Sequence, residues 1–216
     1  MKIIIFGASH GTGLNTLMLA LEQAHDVSAV ARNPGSLQTL KSKLQNMERL
    51  KVIQGDVLAP DTFEQELKGA DVVISSIGMS RSKPTTLYSQ GILNILNAMT
   101  KYQVPRLICV SALGLEVTSG MSLPLKLATR LILQPLLNNT FSDMVRMESA
   151  VKKSDVNWTI VRPPRLTNSK LRGKYRVAIT EHLRHPLIIG RHDLAHFILK
   201  AISQRDTYCT TVEVSY

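Results

Sequence analysis

Lys2-Ile3-Ile4-Ile5-Phe6-Gly7-Ala8-Ser9-His10-Gly11-Thr12-Gly13 opens the chain, and its reading decides the fold. The apolar run Ile3–Phe6 is what a strand buried on both faces of a parallel sheet requires. The glycines at 7, 11 and 13 then predict a tight turn into a helix over Leu14 to Ala24. Such a turn needs positions without a Cβ, so that a ligand can approach the backbone and the helix can pack on the strand. N–H groups at the start of that helix, with its dipole behind them, favour an anion such as a pyrophosphate.

Working outward, strand and helix patterns alternate. Strands are expected at Val27–Ala31, Leu50–Ile53, Asp71–Ser76, Pro105–Ser111, Trp158–Arg162 and Thr210–Val214. Helical spacing runs from Ser36 to Met47 through Leu37, Leu40 and Leu44, and from Thr85 to Tyr102 through Leu87, Ile92, Ile95, Leu96 and Met99. Asp61 is read as the cap of a short helix to Lys68 that Gly69 closes, and Asp193 as the N-cap of a last helix to Ser203. After Ala112 the regularity breaks. Ser122 to Gln134 reads as a helix interrupted by Pro135, Asn138-Asn139-Thr140 precede a long helix to Lys153, and residues 165–190 are irregular apart from a strand at Tyr175–Ile179. Repeated β-α units of this length predict an α/β fold, a doubly wound parallel sheet in one domain over residues 1–216. The Leu- and Met-rich stretch 112–135 reads as a lid or an interface.

Composition narrows the class. With 44% hydrophobic and 19% charged residues the chain is globular in character. No apolar run reaches the roughly 18 residues of a membrane span, and entry into a strand at residue 2 leaves no room for a signal peptide. Cys109 and Cys209 lie in strand-like runs and read as small core residues. Cytoplasmic location and no membrane partner are therefore expected. The net charge of +10 raises nucleic acid as a partner, but the basic residues are dispersed and aromatics make up only 5%, so none is expected. A local basic excess (Arg165, Lys170, Arg172, Lys174, Arg176, Arg184 and Arg191) is open to two readings, an anion-holding loop or a solvated one. His192 and His196 stand one turn apart, a spacing that can hold metal, but the surroundings are poor in carboxylates and no metal is expected.

Six segments in order carry a resemblance: Gly7-Ala8-Ser9-His10-Gly11-Thr12-Gly13, Gln54-Gly55-Asp56-Val57, Ser75-Ser76-Ile77-Gly78, Val110-Ser111-Ala112, Val161-Arg162-Pro163-Pro164 and Arg191-His192-Asp193-Leu194-Ala195. Together they resemble the atypical short-chain dehydrogenase/reductases, most closely the biliverdin reductase B and flavin reductase branch with the NmrA-like proteins beside it. The resemblance covers essentially the whole chain and implies a Rossmann-like fold that binds NAD(P). The glycine spacing, Gly-x-x-x-Gly-x-Gly, differs from the simple Rossmann Gly-x-Gly-x-x-Gly.

Carried over residue by residue, Gly7, Ser9, His10, Gly11, Thr12 and Gly13 match the pyrophosphate loop. His10 stands where the branch usually has glycine, and either leans over a phosphate or faces solvent. Arg32 and Asn33 follow the second strand, where NAD-specific members often carry a carboxylate. A guanidinium there suits the 2′-phosphate and favours NADPH. Asp56 and Val57 match the adenine contact, with a turn role as the alternative for Asp56. Ser76, Ile77 and Gly78 match the strand end under the cofactor, and the following loop offers Arg81 as a phosphate or substrate contact. Ser111 matches the active-site serine beside the nicotinamide, with a strand-end capping role as its alternative. Pro163 and Pro164 match the segment along the nicotinamide. Arg165 replaces a histidine proposed as proton donor; an arginine cannot give a proton at neutral pH, but it can hold a carboxylate or phosphate.

No tyrosine has a lysine four residues on, and Asn139–Lys153 holds no tyrosine at all, so the usual Tyr-Lys proton relay is missing. Two functions remain: an NADPH-dependent reductase of a flavin, quinone or linear tetrapyrrole, its acceptor anionic and aromatic, or an NmrA-like NADP(H) sensor acting through a protein partner. Oligomeric state is not legible.

Overall fold

The computed structural model describes residues 1–38, 46–78, 85–117 and 119–216. β1 (Lys2–Phe6) leads into α1 (Gly11–Glu22), then β2 (Asp26–Ala31), the single turn α2 (Gly35–Gln38), β3 (Leu50–Gln54) and β4 (Val72–Ser75). α3 (Leu87–Tyr102) and β5 (Arg106–Val110) follow. A helical stretch made of α4 (Leu123–Ala128), a π-helical turn Thr129–Leu133 and α5 (Gln134–Leu136) then precedes α6 (Asn138–Lys152). β6 (Asn157–Arg162), β7 (Arg165–Thr167), β8 (Arg176–Ile179), β9 (Ile188–Gly190), α7 (Arg191–Ala201) and β10 (Thr210–Ser215) complete the order.

Eight strands form one sheet in the order β3-β2-β1-β4-β5-β6-β10-β8. It is parallel except at its edge, where β8 pairs antiparallel with β10, so the wholly parallel sheet expected from the sequence acquires one reversed strand. β7 and β9 form a separate parallel pair. This is a single α/β domain of Rossmann-like topology. Strand alternation sorts the core into two layers. Ile3, Ile5, Val72, Ile74 and Ile108 face α1 and α7, meeting Leu17, Leu21, Leu194, Phe197 and Ile198. Ile4, Phe6, Val73, Leu107 and Cys109 face α3 and α6, meeting Ile92, Ile95, Met99, Met147 and Val151. Each such large apolar side chain, removed from water, contributes about 1.5–3 kcal/mol.

Several boundaries differ from the sequence reading, each for a local reason. α1 begins at Gly11 rather than Leu14, because the loop glycines themselves form its first turn. Asp61 lies inside a 3-10 turn, Pro60–Thr62, and a second such turn, Glu64–Leu67, replaces the short helix. Met47 opens a 3-10 turn after the left-handed Asn46 instead of closing a helix; Leu40 and Leu44 lie outside the described residues. Pro135 does not interrupt the helical path: the widened turn before it absorbs its missing N–H. Asn138, Asn139 and Thr140 belong to the first turn of α6. Asp193 is no N-cap, since Gly190 occupies that place. Its buried carboxylate instead accepts from the backbone N–H groups of Arg172 (3.0 Å) and Gly173 (2.7 Å) and from the Tyr216 hydroxyl (2.6 Å). Cys109 is buried as expected, and burial pushes its thiol up to about 12. Cys209 is exposed at φ 52, just ahead of β10.

Candidate functional site

The carboxyl ends of β1, β2, β4, β5 and β6 open onto a cleft of about 520 Å³. Gly7 and Gly11 adopt φ of +79° and +62°, which favours glycine. A Cβ at Gly7 would lie 2.4 Å from the Ser76 carbonyl oxygen, and one at Gly13 would lie 2.2 Å from the Gly7 carbonyl oxygen. The loop is therefore folded tightly onto the end of β4, and Gly11 and Thr12, which open α1, line the cleft. Among the described residues no side chain caps that helix start, and its first turn holds no acidic residue, so its dipole and N–H groups remain available to an anion.

Two buried hydroxyls, Thr12 Oγ1 and Ser76 Oγ, have no hydrogen-bond partner among the described residues. Both residues line the cleft. A buried polar atom left without a partner costs about 1–3 kcal/mol, and a phosphate-bearing ligand on this loop supplies acceptors where they are missing. The donors and the cradle fit a dinucleotide.

The cleft is lined by Gly7, Ser9, His10, Gly11, Thr12, Arg32, Asp56, Val57, Ser76, Ile77, Gly78, Ser111, Pro163 and Pro164 of the residues singled out in the sequence. His10 and Arg32 are exposed at its rim. Gly13 is buried against Gly7 and meets the cleft only through the loop it lets close. Asn33 is engaged next door, its Oδ1 accepting from Gly35 N–H at 3.2 Å. Asp56 performs the turn role: Oδ1 accepts from Leu58 N–H at 3.0 Å while the residue still borders the cleft. Arg81 lies outside the described residues. Arg165 is a correction. It is exposed and does not line the cleft, whereas its neighbours Pro164 and Leu166 do. Successive side chains of a strand point to opposite sides, and β7 sends Arg165 the other way.

Ser111 sits at the end of β5, 5% exposed. Its hydroxyl donates to Glu148 Oε1 at 2.7 Å. Glu148, on α6, is gripped by Arg162 at the end of β6 through Nε (2.9 Å) and Nη2 (2.5 Å). Arg162 also forks onto Glu116 at 2.8 and 3.0 Å. Burial alone would lower the Arg162 pKa, but hydrogen bonds to the two carboxylates more than offset it and raise it above the ordinary value. Ser111 thus gives its one proton to a fixed carboxylate and presents lone pairs to the cleft.

The sequence reading gave no cleft role to Val30, Ala31, Gly55, Leu87, Tyr88, Val110, Ala112, Met144 and Leu166, which also line it, and Arg191, from the basic group open to an anion-holding role, lines it too. Tyr88 and Leu87 come from the start of α3, which α6 anchors: the buried Asp143 accepts from Tyr88 N–H at 2.8 Å and from the Ser89 hydroxyl. Arg191 begins α7 with Nε 3.6 Å from where a Gly11 Cβ would lie, and Nη1 donates to Asn168 Oδ1 at 2.7 Å. Its places in the basic group and in the last of the six resemblance segments were its two signals. His192 and His196 diverge, one ring nitrogen meeting the Ser169 carbonyl (3.1 Å) and the other the Tyr175 hydroxyl (2.7 Å).

Solved structures of known proteins share this architecture. A short-chain dehydrogenase/reductase from Veillonella parvula, solved in complex with NADP, superposes with a TM-score of 0.78 at 19% identity, covering 100% of this chain and 94% of that one. ChuY, an anaerobillin reductase from Escherichia coli O157:H7, gives 0.75 at 20% identity over 100% of this chain and 97% of its own. At these identities the likeness establishes the fold. An uncharacterised chloroplastic protein of Arabidopsis thaliana is 24% identical over 219 aligned residues, spanning 99% of this chain and 76% of that protein. Residues 7–205 match the family described as NAD(P)H-binding, from the glycine loop to beyond α7, and the chain belongs to that family.

Proposed function

We propose that the protein is an NADPH-dependent reductase of a planar acceptor such as a flavin, a quinone or a linear tetrapyrrole, in the manner of the biliverdin reductase B and flavin reductase branch. The carrying observation is the division of the cleft. Its glycine-loop half offers helix N–H groups, the Thr12 hydroxyl, Arg32 and Arg191. Its other half is walled by Leu87, Tyr88, Ala112, Met144, Pro164 and Leu166, and among the described residues no lysine lines it.

A reduced nicotinamide, when bound, supplies a hydride equivalent to the acceptor ring. The chain's own residues position and exclude water. Ser111, with its proton committed to Glu148, accepts a hydrogen bond from a carboxamide or a water and does not act as the acid. The proton for the reduced acceptor comes from solvent, which suits rings that take hydride at an electron-poor atom. With Arg165 facing away, apolar contact holds the acceptor where the sequence reading had charge pairing.

Arg32 supports NADPH over NADH, its guanidinium placed at the rim beyond β2. The test is to supply FMN, a quinone and biliverdin in turn with NADPH and follow loss of the nicotinamide absorbance. Turnover with at least one acceptor is expected, with Ser111→Ala lowering kcat by about tenfold while NADPH affinity changes little. Arg32→Ala should weaken NADPH about tenfold or more, a loss of roughly 1.5–3 kcal/mol of charged hydrogen bonding, and leave NADH unchanged. Tight NADPH binding with no turnover on any acceptor would contradict the reductase reading and assign a dinucleotide sensor.

A further inference from the structure

Beyond Ala112 the chain leaves the sheet and builds the continuous helical stretch from α4 to α5, residues 123–136. Leu123 is 71% exposed, Leu127 50%, Leu131 67%, Ile132 65% and Leu136 68%. Among its described side chains only Thr129 is buried. Isolated surface leucines are ordinary, but a row of them along one helix is not. Leu123, Leu127 and Leu131 follow at intervals of four, so they form one ridge. Lys126 and Arg130 repeat at the same interval on the row beside it.

Charge selects what covers this ridge. Residues 117–142 contain no Asp or Glu, and the whole chain carries +10. A second copy packed isologously would bring Lys126 and Arg130 against their own counterparts. An anionic lipid surface accepts both parts at once: leucines enter the acyl boundary while lysine and arginine reach up to phosphates. Fourteen residues make a helix of about 21 Å, too short to span a bilayer and suited to lying in its plane. The absence of a spanning run therefore does not bear on this mode of attachment. The ridge is fixed to the body beside the cleft, since Gln134 Nε2 donates to the Gly114 and Leu115 carbonyls at 3.3 and 3.1 Å, just beyond cleft residues Ser111 and Ala112.

We propose that residues 123–136 form a docking surface for anionic phospholipid bilayers. The test is flotation of the full chain with phosphatidylcholine vesicles made with and without phosphatidylglycerol, at low and high salt. The wild type should float with the anionic vesicles at low salt and far less with neutral ones. Leu127→Ser with Leu131→Ser should reduce the bound fraction by at least about tenfold, and Lys126→Gln with Arg130→Gln should remove the dependence on anionic lipid. Both variants should titrate with NADPH as the wild type does, which separates lost docking from lost fold. The proposal fails if folded wild type does not float, or if the leucine variant floats equally well. It also fails if the wild type is a dimer that the leucine variant converts to monomer, for then a second copy covers the ridge.

Discussion

Arg106 and Arg162 lie buried at opposite edges of the same sheet, and they are held in opposite ways. Arg106, first residue of β5, meets only neutral acceptors among the described residues: the carbonyls of Ala201 (2.7 Å), Asn157 (2.8 Å), Leu107 (3.2 Å) and Ile202 (3.3 Å), and the hydroxyls of Thr159 (2.7 Å) and Thr207 (3.3 Å). The Tyr208 ring covers it at 4.1 Å. Burial lowers its pKa to about 10. Arg162, last residue of β6, is fixed by Glu148 and Glu116, and through Glu148 it reaches the cleft at Ser111. The amino edge uses its polar groups to close the structure. The carboxyl edge keeps Thr12 Oγ1 and Ser76 Oγ without partners, the two such buried side-chain atoms among the described residues. Polar groups left open at one edge of an otherwise satisfied sheet identify the edge that a ligand completes.

The sharpest way to break this contrast is to remove each edge's central feature. Arg106→Met should lower stability by about 3 kcal/mol or more, because several buried carbonyls lose their donor, while the folded protein binds NADPH with unchanged affinity. Urea melts and dinucleotide titration read the two effects separately. Gly13→Val should weaken NADPH at least about 100-fold, or ~2.7 kcal/mol, and should lower stability as well, because its Cβ would overlap the Gly7 carbonyl. Loss of affinity in the first variant, or its retention in the second, would erase the distinction between edges. Glu148→Gln should cost about 1–3 kcal/mol by weakening two charge-assisted contacts, measurable as a lower urea midpoint.

The smallest effect concerns pH. The hydrogen bond from Arg162 is the main cause holding the Glu116 carboxyl below its ordinary 4.5. A group whose folded value is depressed stabilises the protein above its unfolded value and loses that contribution as pH falls through the folded one. The Glu116 side chain is 58% exposed, so the contribution is below about 1 kcal/mol. Glu116→Gln should therefore be slightly less stable than wild type at neutral pH, with the difference shrinking as pH falls below the ordinary 4.5 and gone only below the depressed folded value. A difference that grew on acidification would remove Glu116 from the Arg162 grip.

How much of this was legible in the sequence follows the distance over which each feature is encoded. β1, the glycine loop and α1 are contiguous, and their glycines state their own geometric need. Most strand-end residues of the cleft came instead with the family resemblance, carried over segment by segment, and Ser111 also followed from the rule that such sheets bind at their carboxyl edge. Glu148 was invisible because its partners come from β5, β6 and the segment after β5, and no spacing encodes their convergence. Tyr88 and Met144 enter the cleft only because α3 and α6 pack side by side. Arg165 was misplaced by one step of strand alternation. Asp193 has the residue type of a cap, but the fold sends its carboxylate to Arg172, Gly173 and Tyr216. Pro135 is tolerated because a π-helical turn precedes it, a device that propensity alone does not announce.

The central claim is that the cleft over the Gly7–Gly13 loop holds NADPH and that Thr12 completes its hydrogen bonding there. Calorimetric titration of NADPH into the wild type and into Thr12→Val tests it most directly. The account predicts binding at one site per chain, with affinity reduced by about fivefold to thirtyfold in the variant, a loss of about 1–2 kcal/mol for the missing hydroxyl. Binding that is identical in wild type and Thr12→Val, or a folded wild type that takes up neither NADPH nor NADH, would contradict it.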